Sequence, residues 1–110
     1  MKLTVVVPAH NEEENISKVI SSIEDKLNFP FELVVVNDHS LDSTARIVLD
    51  LAKKYSNISL VENNLPVGFA NAMKTGLGSV KTEVVVLVMG DLCDDLGTIP
   101  LMFDKIKEGF

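Results

Sequence analysis

Three short stretches of the 110-residue chain gather the side chains able to do chemistry. They are Pro8-Ala9-His10-Asn11-Glu12, Asn37-Asp38-His39-Ser40 and Gly90-Asp91-Leu92-Cys93-Asp94-Asp95, and each follows a short apolar run. Amides, imidazoles and carboxylates offer directional hydrogen bonds, and gathered carboxylates offer the hard oxygens that divalent cations take. The usual glycine-built phosphate devices are missing. No G-x-G-x-x-G follows the first run, and no G-x-x-x-x-G-K-[ST] occurs anywhere, which argues against Rossmann oxidoreductases and P-loop NTPases. Cys93 is the only cysteine, so an intrachain disulfide and a thiolate zinc cluster are excluded, and a reducing compartment fits.

The elements that must position these residues are legible as an alternation. Leu3–Val7, Leu33–Val36, Ile58–Val61 and Val84–Val88 are short, mostly β-branched runs, the pattern of strands buried on both faces of a parallel sheet. Between the first two, Ile16, Val19, Ile20, Ile23 and Leu27 recur at helical spacing, with Glu12, Glu13 and Glu14 expected in the first turn and Asn11 as its cap. A second helix is expected from about Asp42 to Tyr55, capped by Ser40 or Asp42, with Ala45, Val48, Leu49 and Ala52 inward. A third covers Phe69 to Leu77 and stops near Gly76 and Gly78. A fourth begins around Thr98, tolerates Pro100 in its first turn and carries Ile99, Met102, Phe103 and Ile106 on one face. Phe29, Phe31, Phe69, Met89 and Met102 read as packing residues.

The order β-α-β-α-β-α-β-loop-α predicts an open α/β parallel sheet, strand order 3-2-1-4, with right-handed crossovers. In such a sheet ligands sit beyond the carboxyl ends of the strands, where the three polar stretches fall. The length allows one domain, 1–110. It is expected to be truncated, because the last helix ends where a sheet of this kind ordinarily goes on. Composition narrows the partners. Apolar residues make up 46% and charged residues 24%, enough for a core and unlike a disordered chain. No apolar run approaches the roughly 20 residues of a membrane span. Ten basic against sixteen acidic residues give a net charge of −6, which opposes a broad grip on nucleic acid or anionic lipid. A phosphate-bearing ligand therefore needs a cation or a local cluster of donors.

Taken in order, Pro8-x-x-Asn11-Glu12, Val-Val-Asn37-Asp38-His39-Ser40-x-Asp42-Ser43-Thr44, Asn64-x-x-x-Gly68 and the acidic loop after Val84–Val88 resemble the family 2 glycosyltransferases. Within that family the chain is most similar to the branch of polyprenyl-phosphate (dolichyl-phosphate) sugar transferases, over essentially its whole length. The resemblance implies the amino-terminal half of a GT-A fold, a UDP- or GDP-linked sugar donor, a divalent cation (Mg²⁺ or Mn²⁺) and transfer of the sugar to an acceptor such as a polyprenyl phosphate. It also implies a cytoplasmic location, peripheral to the inner face of the membrane in a full-length form.

On that resemblance Pro8, His10, Glu12, Asp38 and Asp91 are the nucleotide-binding candidates, and Asp91, with Asp94 and Asp95, the metal candidates. Asp38 either accepts a hydrogen bond from the imide N–H of uracil or N1–H of guanine, or caps the next turn. Pro8 sets the exit from the first strand. Glu12 walls the nucleoside or serves as a helix-start acid, and His10 lies against the base or ribose or is solvated. Where the family has Asp-x-Asp, this chain reads Met89-Gly90-Asp91. A thiolate at Cys93 suits a hard cation poorly, while Asp94 and Asp95 either complete the metal shell or are surface acids. Lys74 approaches a phosphate or faces solvent. No residue stands out as the catalytic base. The alternative is a non-catalytic nucleotide-binding or signalling module. A phosphoryl-accepting receiver would need an acidic pair after the first strand, where Pro8-Ala9-His10 stands.

Overall fold

The computed structural model of the chain describes residues 2–88. Its element order is β1 (Leu3–Ala9), α1 (Ile16–Lys26), β2 (Phe31–Asn37), α2 (Thr44–Lys54), β3 (Ile58–Glu62), α3 (Phe69–Gly78) and β4 (Val84–Leu87). The strands form one sheet in the order β3-β2-β1-β4, and every pairing is parallel. This is the order the alternation predicts. The expected fourth helix, Met89 and the acids Asp91, Asp94 and Asp95 lie outside the described residues.

Strand register sorts side chains onto two faces. Val5 of β1 aligns with Leu33 of β2, and Leu33 with Ile58 of β3. Alternation therefore sends Leu3, Val5, Val7, Leu33 and Val35 to one side, where they pack with Ile16, Val19, Ile20, Ile23 and Val48 of α1 and α2. Val6, Val34 and Val36 point the other way, against Ala72 of α3 and Val61 of β3. Nearly continuous burial along β1 and β2 is the consequence of a parallel sheet covered on both faces.

The local signals are less faithful than the period. Helix α1 starts at Ile16, with no acid in its first turn, so Glu12–Glu14 precede the helix and Asn11 does not cap it. Their backbone is diverted by contacts to the next loop. Helix α2 starts at Thr44 after Ser43; Leu49, expected inward, is 52% exposed, and Ile47 and Leu51 pack against the core in its place. Phe69, expected to pack, is 45% exposed. Pro8 lies inside β1 beside Val36, and does not end the strand. The β4 ladder is last paired at Val6 and Leu87, so Pro8 sits beyond the stretch where that ladder takes hydrogen bonds from β1.

Gly76 does not stop α3, which runs to Gly78. It is buried over the sheet, where a Cβ would come within 2.6 Å of Val6 Cγ1 and 2.9 Å of Val36 Cγ2. The absent side chain is what lets the helix backbone lie on the strands. We expect Gly76→Ala to lower stability by about 1–3 kcal/mol through overpacking, read as a shift in the urea midpoint. Gly78→Ala, whose Cβ would meet nothing within 4 Å, is the control and should leave the midpoint nearly unmoved.

Candidate functional site at the carboxyl edge of the sheet

Parallel pairing carries the ends of β1 and β2 to one edge, and the two loops that leave them are tied together by hydrogen bonds running both ways. Asn11 takes a left-handed conformation, φ 52°, which asparagine tolerates better than most residues. Its N–H donates to Ser40 Oγ at 3.0 Å, and its Oδ1 accepts from the Leu41 N–H at 2.8 Å. The Glu12 N–H donates to Thr44 Oγ1 at 2.9 Å and the Glu13 N–H to Asp42 Oδ2 at 3.2 Å. In return the Ser43 N–H donates to Glu13 Oε2 at 3.2 Å.

Asp42 and Thr44 are the hub of this lacing. Asp42 Oδ1 accepts from both the N–H and the hydroxyl of Thr44, at 2.9 and 2.5 Å. Thr44 is buried, so its hydroxyl serves two partners away from water. Partial desolvation pushes the Asp42 carboxyl up. Hydrogen bonds from the Thr44 side chain and N–H, from the Glu13 N–H and from its own backbone outweigh that and hold it below the usual carboxylate range.

His10 joins the same edge. Its Nδ1–H donates to the Asp38 carbonyl at 2.6 Å, which makes Nε2 the acceptor for Asn11 Nδ2 at 3.2 Å. Both ring nitrogens are engaged by protein, so the imidazole ties the loop after β1 to that after β2. His39, also left-handed at φ 56°, reaches with its Nε2–H to the Leu65 carbonyl at 2.6 Å. Glu12 contributes through its backbone: besides the Thr44 bond, its carbonyl accepts from the N–H groups of Asn15 and Ile16 at 3.0 and 2.8 Å.

Asp38 follows β2 directly and is 5% exposed. It does not cap its own turn. Asn63 Nδ2 donates to Oδ1 at 2.8 Å, and the Gly68 N–H donates to Oδ2 at 3.1 Å and more distantly to Oδ1 at 3.3 Å. Gly68 is the N-cap of α3 with φ 148°, a conformation costly for any residue with a Cβ. The carboxylate thus stands at the start of a helix, where the backbone dipoles favour negative charge.

Pro8, His10, Glu12 and Asp38 are accordingly brought together at this edge, and β4 ends there too, with the Val88 N–H donating to the Val6 carbonyl at 2.9 Å. Lys74 is exposed on α3. The motif reading assigns a role to neither Thr44 nor Asn63: it names Asn64, while Asn63 is the residue that meets Asp38. The distinction lies in strand register: β2 and β3 pair with Asn37 opposite Glu62, so the next step sets Asp38 opposite Asn63, on the face of α3.

The pattern of the family described as Glycosyl transferase family 2 matches residues 4–110. The chain belongs to that family. It is similar to a dolichyl-phosphate beta-glucosyltransferase of Trichomonas vaginalis, 32% identical over 114 residues that cover 96% of this chain and 35% of that protein. S. aureus TarS 1–349 in complex with UDP-GlcNAc matches with a TM-score of 0.82 at 28% identity, across 98% of this chain and 32% of that one. The mannosyltransferase PcManGT of Pyrobaculum calidifontis, in complex with GDP-Man and Mn²⁺, matches with a TM-score of 0.74 at 32% identity, across 81% and 27%. The chain spans about a third of the length of these relatives. The 3-2-1-4 sheet of this family 2 domain is that of its GT-A neighbours.

A cavity of about 600 Å³ opens at the opposite, amino-terminal edge of the family 2 domain, lined among others by Lys2, Glu24, Phe29, Phe31 and Asn57. Burial pushes the Glu24 carboxyl up, with the Asn57 amide offsetting part of the effect and Asp25 adding to it. It lies away from the strand ends that carry the family's motifs. No helix of the described residues is long and apolar enough to cross a membrane.

Thr44→Val keeps the shape of the side chain and removes its hydroxyl, leaving the Glu12 N–H without its partner. The expected cost is about 1–3 kcal/mol, measured by urea unfolding at pH 7. Asp42 gives the pH dependence. Its folded pKa lies below its unfolded value of about 3.9, so its contribution is complete above that value and is lost as pH falls through the folded pKa. The stability gap between the parent and Asp42→Asn should hold from pH 7 down to about pH 5 and close as pH falls through the folded pKa. A gap independent of pH would remove the carboxylate from the lacing.

Proposed function

We propose that this chain is the donor-nucleotide side of a family 2 glycosyltransferase, holding a UDP- or GDP-linked sugar for transfer to an acceptor of the polyprenyl-phosphate kind. The observation that carries the reading is Asp38. Its carboxylate stands at the carboxyl edge between the loops after β1 and β3, its position fixed by Asn63 and Gly68. The second lone pair of Oδ2 remains for a ring N–H of the base. Pro8 and the backbone of Glu12 shape the wall on the β1 side. His10, held by both nitrogens, meets the nucleoside through the face of its ring.

A divalent cation completes the reading. Among the described residues no group of three or more His, Cys, Asp or Glu side chains could hold one, so the ligands fall to Asp91, with Asp94 and Asp95. Carboxylate oxygens suit Mg²⁺ or Mn²⁺, which commonly take one or two such groups and fill the shell with phosphate oxygens and water. Bound there, the cation would offset the diphosphate charge that a domain of net charge −6 repels. The presence of GDP-Man and Mn²⁺ with PcManGT supports both the donor class and the metal. The acceptor class rests on the dolichyl-phosphate relative. Such an acceptor would bring a longer form to the cytoplasmic face of a membrane.

Calorimetric titration of the chain with UDP and GDP, with and without Mn²⁺, tests this reading. Asp38→Ala would also orphan the Gly68 and Asn63 donors, so Asp38→Asn is the better probe. It should weaken nucleotide binding roughly tenfold or more, as loss of a hydrogen bond to a charged group does, while circular dichroism melts report its fold. Asp91→Asn should abolish the Mn²⁺-dependent gain and leave the metal-free affinity intact. An undiminished Mn²⁺ gain in that variant would remove Asp91 from the metal shell.

A further inference from the structure

Asn63 is 4% exposed, and each polar atom of its amide is engaged in a single sense. Its Oδ1 accepts from the Leu65 N–H at 3.0 Å and from Thr75 Oγ1 at 2.9 Å; the Thr75 hydroxyl shares its proton with the Asn71 carbonyl at 3.0 Å. Its Nδ2 donates to Asp38 Oδ1 at 2.8 Å and faces the Pro66 carbonyl at 3.4 Å. Turning the amide over would set its NH₂ against the Leu65 N–H and its carbonyl oxygen against both Pro66 and Asp38. The amide is therefore locked with a donor toward Asp38, and Gly68 supplies a second donor from the other side.

We infer that Asn63 is a positioning residue for base selection: by meeting Asp38 only as a donor, it holds the carboxylate as an acceptor and so selects bases that present a ring N–H. This rests on the proposed reading of Asp38 and deepens it. Uracil N3 and guanine N1 carry a hydrogen, whereas cytosine N3 and adenine N1 present lone pairs. An acceptor fixed in place binds the first kind and repels the second.

The test compares UDP with CDP, and GDP with ADP, by calorimetry on the full 110-residue chain. The ratio of the two affinities is the readout, because any loss of folded protein lowers both members of a pair alike. The parent should prefer UDP over CDP, or GDP over ADP, by roughly tenfold or more. Asn63→Asp puts a second carboxylate at hydrogen-bond distance from Asp38, and such a pair shares a proton. Asp38 can then offer an O–H as well as a lone pair, and the preference should fall roughly fivefold or more. Thr75→Val, which removes only the hydroxyl that helps to orient the amide, should lower it roughly two- to threefold, and decides the matter if Asn63→Asp does not fold. An unchanged preference in both variants, or in Thr75→Val alone where Asn63→Asp is unfolded, overturns the inference and leaves Asn63 holding the loop only. A parent that binds both members of each pair equally overturns the base reading of Asp38 and the inference with it. A parent that binds none of the four nucleotides overturns the proposed donor site as a whole.

Discussion

A carboxylate removed almost wholly from water must be met by hydrogen-bond donors, because an unpaired buried charge costs several kcal/mol. Asp38 is such a group, and its donors come from two other parts of the chain: the amide of Asn63 past β3 and the N–H of Gly68 at the start of α3. Meeting that demand ties the ends of two strands to the beginning of a helix. The Asn63 N–H meanwhile continues the sheet ladder by donating to the Asn37 carbonyl at 3.0 Å. Gly68, the one described non-helical glycine with positive φ, brings its N–H to the carboxylate without the strain a side chain would impose. Gly76, two turns further on, lets the same helix lie close over Val6 and Val36.

The other half of the edge obeys the same rule with different atoms. A loop that leaves the sheet exposes backbone N–H groups that must find partners. Here those of Asn11, Glu12 and Glu13 find side chains of Ser40, Thr44 and Asp42, while those of Leu41 and Ser43 find Asn11 and Glu13. With His10 closing onto the Asp38 carbonyl, the two loops form a single wall. Much of its polar capacity is spent internally.

Charge complements shape. The domain is acidic, and one salt bridge occurs among the described residues, between exposed Lys53 and Asp50 at 3.9 Å, a pair of little energetic consequence. An anionic donor is thus not drawn in by the surface at large. On the donor-site reading proposed above, its binding would rest on a base contact at Asp38 and on a cation held by the acids that follow β4. The cavity at the other edge has aromatic walls and a carboxyl pushed up by burial, and none of these contacts.

Four strands, their alternation with helices, and the gathering of Pro8, His10, Glu12 and Asp38 at one edge were determined by sequence alone. Apolar period and strand length are properties of short segments, and parallel connections of this length have few topologies open to them. The boundaries were not. Glu12–Glu14 carry every local mark of a helix start, yet the N–H groups of Glu12 and Glu13 are taken by a loop some 30 residues away, a competition no local pattern records. Gly76 looks like a helix stop until the sheet beneath it is in place, and Leu49 and Phe69 look like core until the helices take their rotation. Only the tertiary structure decided between Asn63 and Asn64. Strand register, a pairing of residues 25 positions apart in the chain, turns the first of two identical neighbours toward Asp38.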